Sequence, residues 1–208
     1  MIIKSSIKTV QTNDLIIRTT LKKELQIRHA NDKKVRIIEE LGVQHGEARI
    51  DIAVVNGIMH GYEIKSDKDT LERLPEQIEE FNTVFDKITL VVGKKHLYQA
   101  INMVPDWWGI VIAKVSSNSS VVFTTIRDEE FNTNQKGVSV AKLLWKEEAL
   151  KILEDTGQAT GFYSKPRRYI YEKLADILDI QTLKFKVRET LFFRVDWRPD
   201  APLMLNGD

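Results

Sequence analysis

No cysteine occurs in the 208-residue chain, which excludes disulfides, thiolate zinc centres and a cysteine nucleophile. Histidine is scarce too, and His29, His45, His60 and His96 share no ligand spacing; each reads as a structural or surface residue. An excess of one charge is also missing, with 31 basic against 30 acidic side chains. A net charge of +1 gives no global pull toward nucleic acid or anionic membrane, so any such affinity has to come from local patches. No apolar run approaches the roughly 18 residues that span a bilayer, and the opening MIIKSSIKTVQTND has no continuous apolar stretch. A cytoplasmic location with no membrane partner is the expectation. Neither GxxxxGKS/T nor GxGxxG occurs, so no nucleotide cofactor is expected.

What is present is an ordinary globular composition, 42% hydrophobic and 29% charged, with enough chain for one sizeable core and an appendage. Asp14 to His29 carries Ile17, Leu21 and Leu25 on one helical face. Val35 to Val43 reads as a strand, followed by a turn at Gln44-His45-Gly46. Arg49 to Val55 alternates, with Ile50, Ile52 and Val54 on one side and Arg49, Asp51, Ala53 and Val55 on the other. Asn56-Gly57 is a turn signal, and Ile58 to Lys65 returns as the partner strand. Asp69 and Glu72 stand in capping-box spacing ahead of a helix whose stripe is Leu71, Leu74, Ile78, Phe81 and Phe85, with Pro75 opening its regular part. Strands over Lys87 to Val92 and Trp108 to Val115 flank a short helix over His96 to Met103. The SSNSS stretch at 116–120 is a hairpin tip or loop, and Asn132 to Gly137 a linker. Helices over Ala141 to Asp155, Pro166 to Asp179 and Gln181 to Phe193 follow, then an irregular tail. The expected class is α/β with a mixed sheet, divided into residues 1–131 and a helical region at 138–208.

The chemistry concentrates in the hairpin. Asp51 lies on its first strand, and Glu63 and Lys65 on one face of its second. A two-residue turn would put Asp51 and Glu63 on opposite faces. A three-residue loop over Val55 to Gly57, with Gly57 left-handed, pairs Val54 with Ile58 and Asp51 with Gly61, leaving Asp51 diagonal to Glu63. Two carboxylates about 4 Å apart repel by roughly 4 kcal/mol at an effective dielectric near 20. A divalent cation removes that penalty, and hard oxygen ligands suit Mg2+ or Mn2+. Lys65, one strand step from Glu63, is placed to orient an attacking water and to offset charge on a phosphate in the transition state. Arg49, on the face of Asp51, is either a phosphate contact or an ion-pair partner.

Asp51 followed across a hairpin by Glu63-Ile64-Lys65 resembles the PD-(D/E)XK nuclease superfamily, the restriction-endonuclease-like fold. The longer run ARIDIAVVNGIMHGYEIKSDKDTLERLPEQIEEFNTVFDKITLVVG, with VPDWWGIVIA after it, is similar to a bacterial and phage family of nuclease-like proteins within that superfamily. The resemblance spans residues 14 to about 115. It implies an αβββαβ core, Asp51 and Glu63 as metal ligands, Lys65 as catalytic lysine, and a metal-dependent deoxyribonuclease or other nuclease as the activity. Ile50 stands where a proline often precedes the aspartate. Gln77, with Phe81 four residues on, is similar to the glutamine–aromatic signature of exonuclease-type members, which makes Gln77 a site residue. The family's first-helix glutamate is either Glu24 or, on the next strand, Glu40. Many such folds cut duplexes as dimers, which leaves a homodimer open.

The neutral total hides a local excess. From Gly161 to Arg188 seven basic residues stand against three acidic ones. The run LLWKEEALKILEDTGQATGFYSKPRRYIYEKL faintly resembles the SAP helix-loop-helix DNA-binding motif, which makes Lys165, Arg167 and Arg168 candidate nucleic-acid contacts. The alternative is a solvated helical lid packed on the core. Trp107-Trp108 reads as core or strand edge, not as a base-stacking platform. The partner expected is nucleic acid, DNA favoured, with a non-cutting binding module and a protein scaffold as the rival readings.

Overall fold

The structure, a computed structural model, describes residues 11–195; the irregular C-terminal tail expected from the sequence lies outside the described residues. Helix α1 (Asp14–Arg28) precedes strands β1 (Arg36–Val43), β2 (Ala48–Val55) and β3 (Met59–Lys65). Helix α2 (Leu74–Asn82), strand β4 (Lys87–Gly93), helix α3 (Leu97–Met103) and strands β5 (Gly109–Val115) and β6 (Val121–Arg127) follow. Helices α4 (Gly137–Ala141), α5 (Lys146–Asp155), α6 (Arg167–Ile177) and α7 (Ile180–Phe193) complete it. The strands form one six-stranded mixed sheet in the order β1 to β6, with β3, β4 and β5 parallel and the other neighbours antiparallel. The class is therefore α/β, as the alternating pattern of elements implied.

The sheet is covered on both faces. Ile17, Leu21 and Leu25 of α1 pack on Ile52, Val54, Tyr62, Ile64 and Val91. On the other face Phe81, Phe85 and Trp108 meet Ile50, Met59 and Leu90 in a core that also holds Val140, Leu153, Leu174 and Val187 of the C-terminal helices. Trp108 is fully buried, its indole N–H donating to Asn82 Oδ1 at 2.8 Å, as the core reading requires. The C-terminal helices thus share the core of the sheet. Lys184 of α7 makes a buried ion pair with Asp86 at the foot of β4.

Several local expectations are corrected. Ile50 does not share a face with Ile52 and Val54; it turns to the opposite layer, within reach of Gly61 and Phe85, where a β-carbon on Gly61 would meet it at 3.3 Å. The hairpin loop has three residues, but they are Asn56 to Ile58, because Val55 pairs with Met59. Gly57 takes the left-handed conformation at φ +89°. Asp69 does not cap α2: its Oδ2 accepts from the Ser66 amide at 2.6 Å, and the helix starts from Arg73 with Pro75 in its first turn. The VVFTTIR run, unassigned from sequence, forms edge strand β6, whose outward residues are exposed. The expected helix over Ala141 to Asp155 breaks into α4 and α5, where Glu148 reaches back to the Trp145 amide at 2.7 Å and starts a new helix. The segment expected as a linker is tied down, with Asn132 buried and donating to the Asn82 and Phe85 carbonyls at 2.7 and 3.0 Å.

Candidate active site

The site lies where the sheet splits. β2 and β3 pair only as far as Ile52 and Tyr62. Beyond that point the Ile64 amide, no longer paired with β2, donates to Asp51 Oδ2 at 2.6 Å. Continuing the register sets Asp51 opposite Glu63 itself, closer than the diagonal expected from sequence. On the other side of Asp51 stands Glu40, between the pairs Glu39↔Ile52 and Leu41↔Ile50. Glu40 has φ 54°, a left-handed backbone that is strained for a glutamate inside a strand and that clusters at functional sites. The change of face at Ile50 and the strain at Glu40 occur together, around Asp51.

Glu63 is 2% exposed. Its Oε1 accepts from Gln77 Nε2 at 2.7 Å and lies 2.8 Å from Lys65 Nζ. Gln77 Oε1 in turn accepts from Lys65 Nζ at 2.9 Å, so the amide of Gln77 orients both groups from α2. The other oxygen of Glu63, Oε2, is buried with no hydrogen-bond partner. A buried carboxylate oxygen without a donor is a costly arrangement and calls for an explanation. Burial is the main reason that the Glu63 carboxyl is pushed up to about 8, with the neighbouring Asp51 adding to it. The Lys65 ammonium and the Gln77 amide pull the other way, but one contact each does not restore the lost water. Asp51 is raised as well, by burial first, against the opposing pull of Arg18 and the Ile64 amide.

Arg18 is the residue that sequence reasoning missed. From α1 its guanidinium reaches Asp51 at 2.6 Å, Asp14 at 3.1 Å and Glu40. The available signal was its position beside the Ile17–Leu21–Leu25 stripe, one turn after Asp14. Arg18, Asp14 and Arg73 line the same cavity as Asp51, Glu63, Lys65 and Gln77. Arg49 and Glu40 line it too and are ion-paired at 3.8 Å, so of the two glutamates weighed for the set Glu40 is at the site. Glu24 is exposed and lies outside it. Lys165, Arg167 and Arg168 are all exposed; Arg167 lines a neighbouring cleft, and the other two do not.

Two carboxylates from adjacent strands, one with an unpartnered oxygen, suit Mg2+ or Mn2+, which is held by one or two carboxylates and keeps several waters. Among the described residues no three His, Cys, Asp or Glu side chains converge as a complete ligand group, and Arg18 occupies the space between Asp51 and Glu40. The fit is thus to an ion held by few protein ligands, with Arg18 displaced from Asp51. Among the described residues, no helix is long and apolar enough to cross a membrane.

Comparison with known proteins places the chain in a family. Protein cII of Enterobacteria phage P4 is 31% identical over 148 residues, covering 71% of this chain and 55% of that protein; the chain spans about half the length of this curated relative. No solved structure gives a significant match. The family model described as Bacteriophage P4 protein cII matches residues 9–199, nearly the whole sequence, and the chain belongs to that family.

Proposed function

We propose that this chain is a divalent-cation-dependent nuclease of restriction-endonuclease-like fold, hydrolysing phosphodiester bonds of nucleic acid, with DNA the favoured substrate. The observation that carries this reading is the buried, donorless Oε2 of Glu63 beside the carboxylate of Asp51. The order α1-β1-β2-β3-α2-β4 agrees with the αβββαβ core that the sequence resemblance implies. A Mg2+ or Mn2+ ion held by Asp51 and Glu63 would polarise a phosphoryl oxygen and acidify a bound water. Lys65 stands beside Glu63 to orient the attacking water and to balance charge growing on the phosphate oxygens. Gln77 fixes the Lys65 and Glu63 side chains by accepting from one and donating to the other. Arg18 neutralises the acidic cluster when no cation is bound.

The test is incubation of the purified protein with supercoiled plasmid, single-stranded DNA and RNA, with Mg2+, Mn2+ or EDTA. Cleavage that depends on the cation and disappears in Asp51→Ala is expected; no cleavage of any substrate with either ion overturns the proposal. A non-cutting nucleic-acid-binding module is the second reading. Arg18 favours it, since its guanidinium already satisfies Asp51 and Glu40.

A further inference from the structure

A second cavity, of about 610 Å3, lies between edge strand β1 and the starts of α5 and α6. It shares Glu40 and Arg49 with the candidate active site, so the two spaces adjoin across β1 and β2. Six cationic side chains line it, Arg36, Arg49, Lys142, Lys146, Arg167 and Arg194, against three acidic ones. Among the described residues neither Lys146 nor Arg167 has an ion-pair partner. A cationic excess in a chain of net charge +1 marks this concave surface for an anion.

The walls also carry flat rings. Trp145 is partly exposed, with the Arg194 guanidinium 4.4 Å from its ring centroid. His45 is exposed and sits 5.3 Å from the ring of Tyr171. Partial burial, and after it the charges of Arg167 and Lys142, hold the His45 imidazole below its ordinary value. His45 belongs to a run of left-handed residues, Gln44 at φ 52°, His45 at φ 63° and Gly46 at φ 91°. Lys142 secures that turn by donating to Gln44 Oε1 at 2.6 Å. Strained backbone of this kind persists where its surroundings hold it, often at ligand clamps. The cavity volume falls within the range of about 300–1,000 Å3 filled by small ligands, which admits a short unpaired stretch.

We infer that this cleft receives an unpaired nucleic-acid strand, its phosphates on Lys146 and Arg167 and its bases against Trp145 and His45, and leads that strand to Asp51 and Glu63. Aromatic faces alternating with cations are the means by which single strands are held without base pairing. The inference names the substrate class of the proposed nuclease and rests on that reading for its last step alone.

The experiment is fluorescence anisotropy with a labelled oligothymidylate, free and annealed to its complement, in EDTA so that nothing is cut. The wild-type protein binds the single strand more tightly than the duplex. Lys146→Ala/Arg167→Ala lowers single-strand affinity about tenfold and flattens the log–log salt dependence by about 1.4, at about 0.7 per lost phosphate contact. Lys23→Ala/Lys114→Ala, exposed and outside the cleft, changes neither quantity. All four side chains are at least partly exposed, and unchanged thermal melting of both variants verifies that they fold. Tighter binding of duplex, or wild-type affinity in Lys146→Ala/Arg167→Ala, overturns the inference. A parallel cleavage assay with Mg2+ separates the two readings: cutting by a protein whose cleft variant binds normally removes the cleft and leaves the nuclease, whereas cleft-dependent binding without cutting removes the nuclease and leaves the cleft.

Discussion

Two buried acids, one at the start of β4 and one in the second half of the adjacent strand β3, sit in contrasting surroundings. Asp86, at the foot of β4, accepts from the Met59 amide at 2.7 Å and from Gln135 Nε2 at 3.1 Å, and pairs with Lys184 of α7. Both of its oxygens are used. Glu63, at the split between β2 and β3, crowds two donors onto one oxygen and leaves the other with none. The two residues are almost equally buried, at 2% exposure each, so depth alone does not separate them. Satisfaction does: a network with every member paired specifies a structure, and one left open by the fold is available to a ligand.

The largest effect is expected where the network is complete. Lys184→Ala leaves Asp86 buried without its cation and is expected to lower unfolding free energy by about 3–5 kcal/mol, read from urea denaturation. The joint replacement Lys184→Met/Asp86→Asn is expected to recover much of that loss, since no uncompensated charge remains. A loss under about 1 kcal/mol in Lys184→Ala would make Asp86 no better anchored than a surface pair and would erase the contrast.

At the open site the same kind of deletion is expected to act on chemistry. Lys65→Ala is expected to lower kcat by about 10²–10³-fold, the range for removing one group that stabilises transition-state charge. Melting temperature is expected to move little, because Gln77 still donates to Glu63. A variant that keeps wild-type kcat but unfolds several degrees lower would make Lys65 a structural partner of Glu63 and nothing more.

The contrast also has a pH signature. Glu63 titrates near 8 in the folded protein, against an ordinary value of 4.5, chiefly because of burial. The native state therefore holds this proton more tightly than the unfolded chain does. Its contribution to stability is fully present below about 4.5, falls as pH rises toward about 8, and is constant above that. Asp51, also raised, adds a slope of the same sign. Glu63→Gln is expected to flatten the decline in cation-free protein, and saturating Mg2+ to flatten it in the wild type. Denaturation at a series of pH values in EDTA measures it; a slope that survives Glu63→Gln unchanged assigns the proton to another group.

The sequence made the α/β class and the strand–strand–strand run legible, because these follow from local alternation and helical stripes, whereas the grouping of Asp51, Glu63 and Lys65 needed a three-residue loop and that of Gln77 the family resemblance. Arg18 was missed for the opposite reason. It lies 33 residues from Asp51 and 22 from Glu40, and its role depends on how α1 docks on the sheet, which no periodicity encodes. The reversal of Ile50 escaped for a related reason: strict alternation holds until a strained residue such as Glu40 shifts the phase. The cleft beside β1 was equally hidden, since its walls are assembled from β1, the left-handed turn, the starts of α5 and α6 and the end of α7.

Arg18 supplies the smallest expected effect and the sharpest division between the two readings of the site. Its guanidinium lies 2.6 Å from Asp51 Oδ1, while Asp51 Oδ2 is taken by the Ile64 amide. A cation approaching Asp51 must therefore displace Arg18 or share an oxygen with it. Removing the guanidinium leaves Asp14, Glu40 and Asp51 to repel one another, which weakens the cation-free protein and strengthens its attraction for Mg2+. With 17% of the Arg18 and 15% of the Asp51 side chain still accessible to water, the exchange is on the order of 1 kcal/mol, or about fivefold in affinity. Arg18→Met keeps the aliphatic stem against α1 and deletes the charge, and calorimetry is expected to show tighter Mg2+ binding by about that factor. Weaker binding in Arg18→Met would mean that the arginine holds Asp51 in its ligating orientation. No Mg2+ binding in either protein would mean that Arg18 is itself the cation the carboxylates were built to hold, and the non-cutting module would then be the better reading.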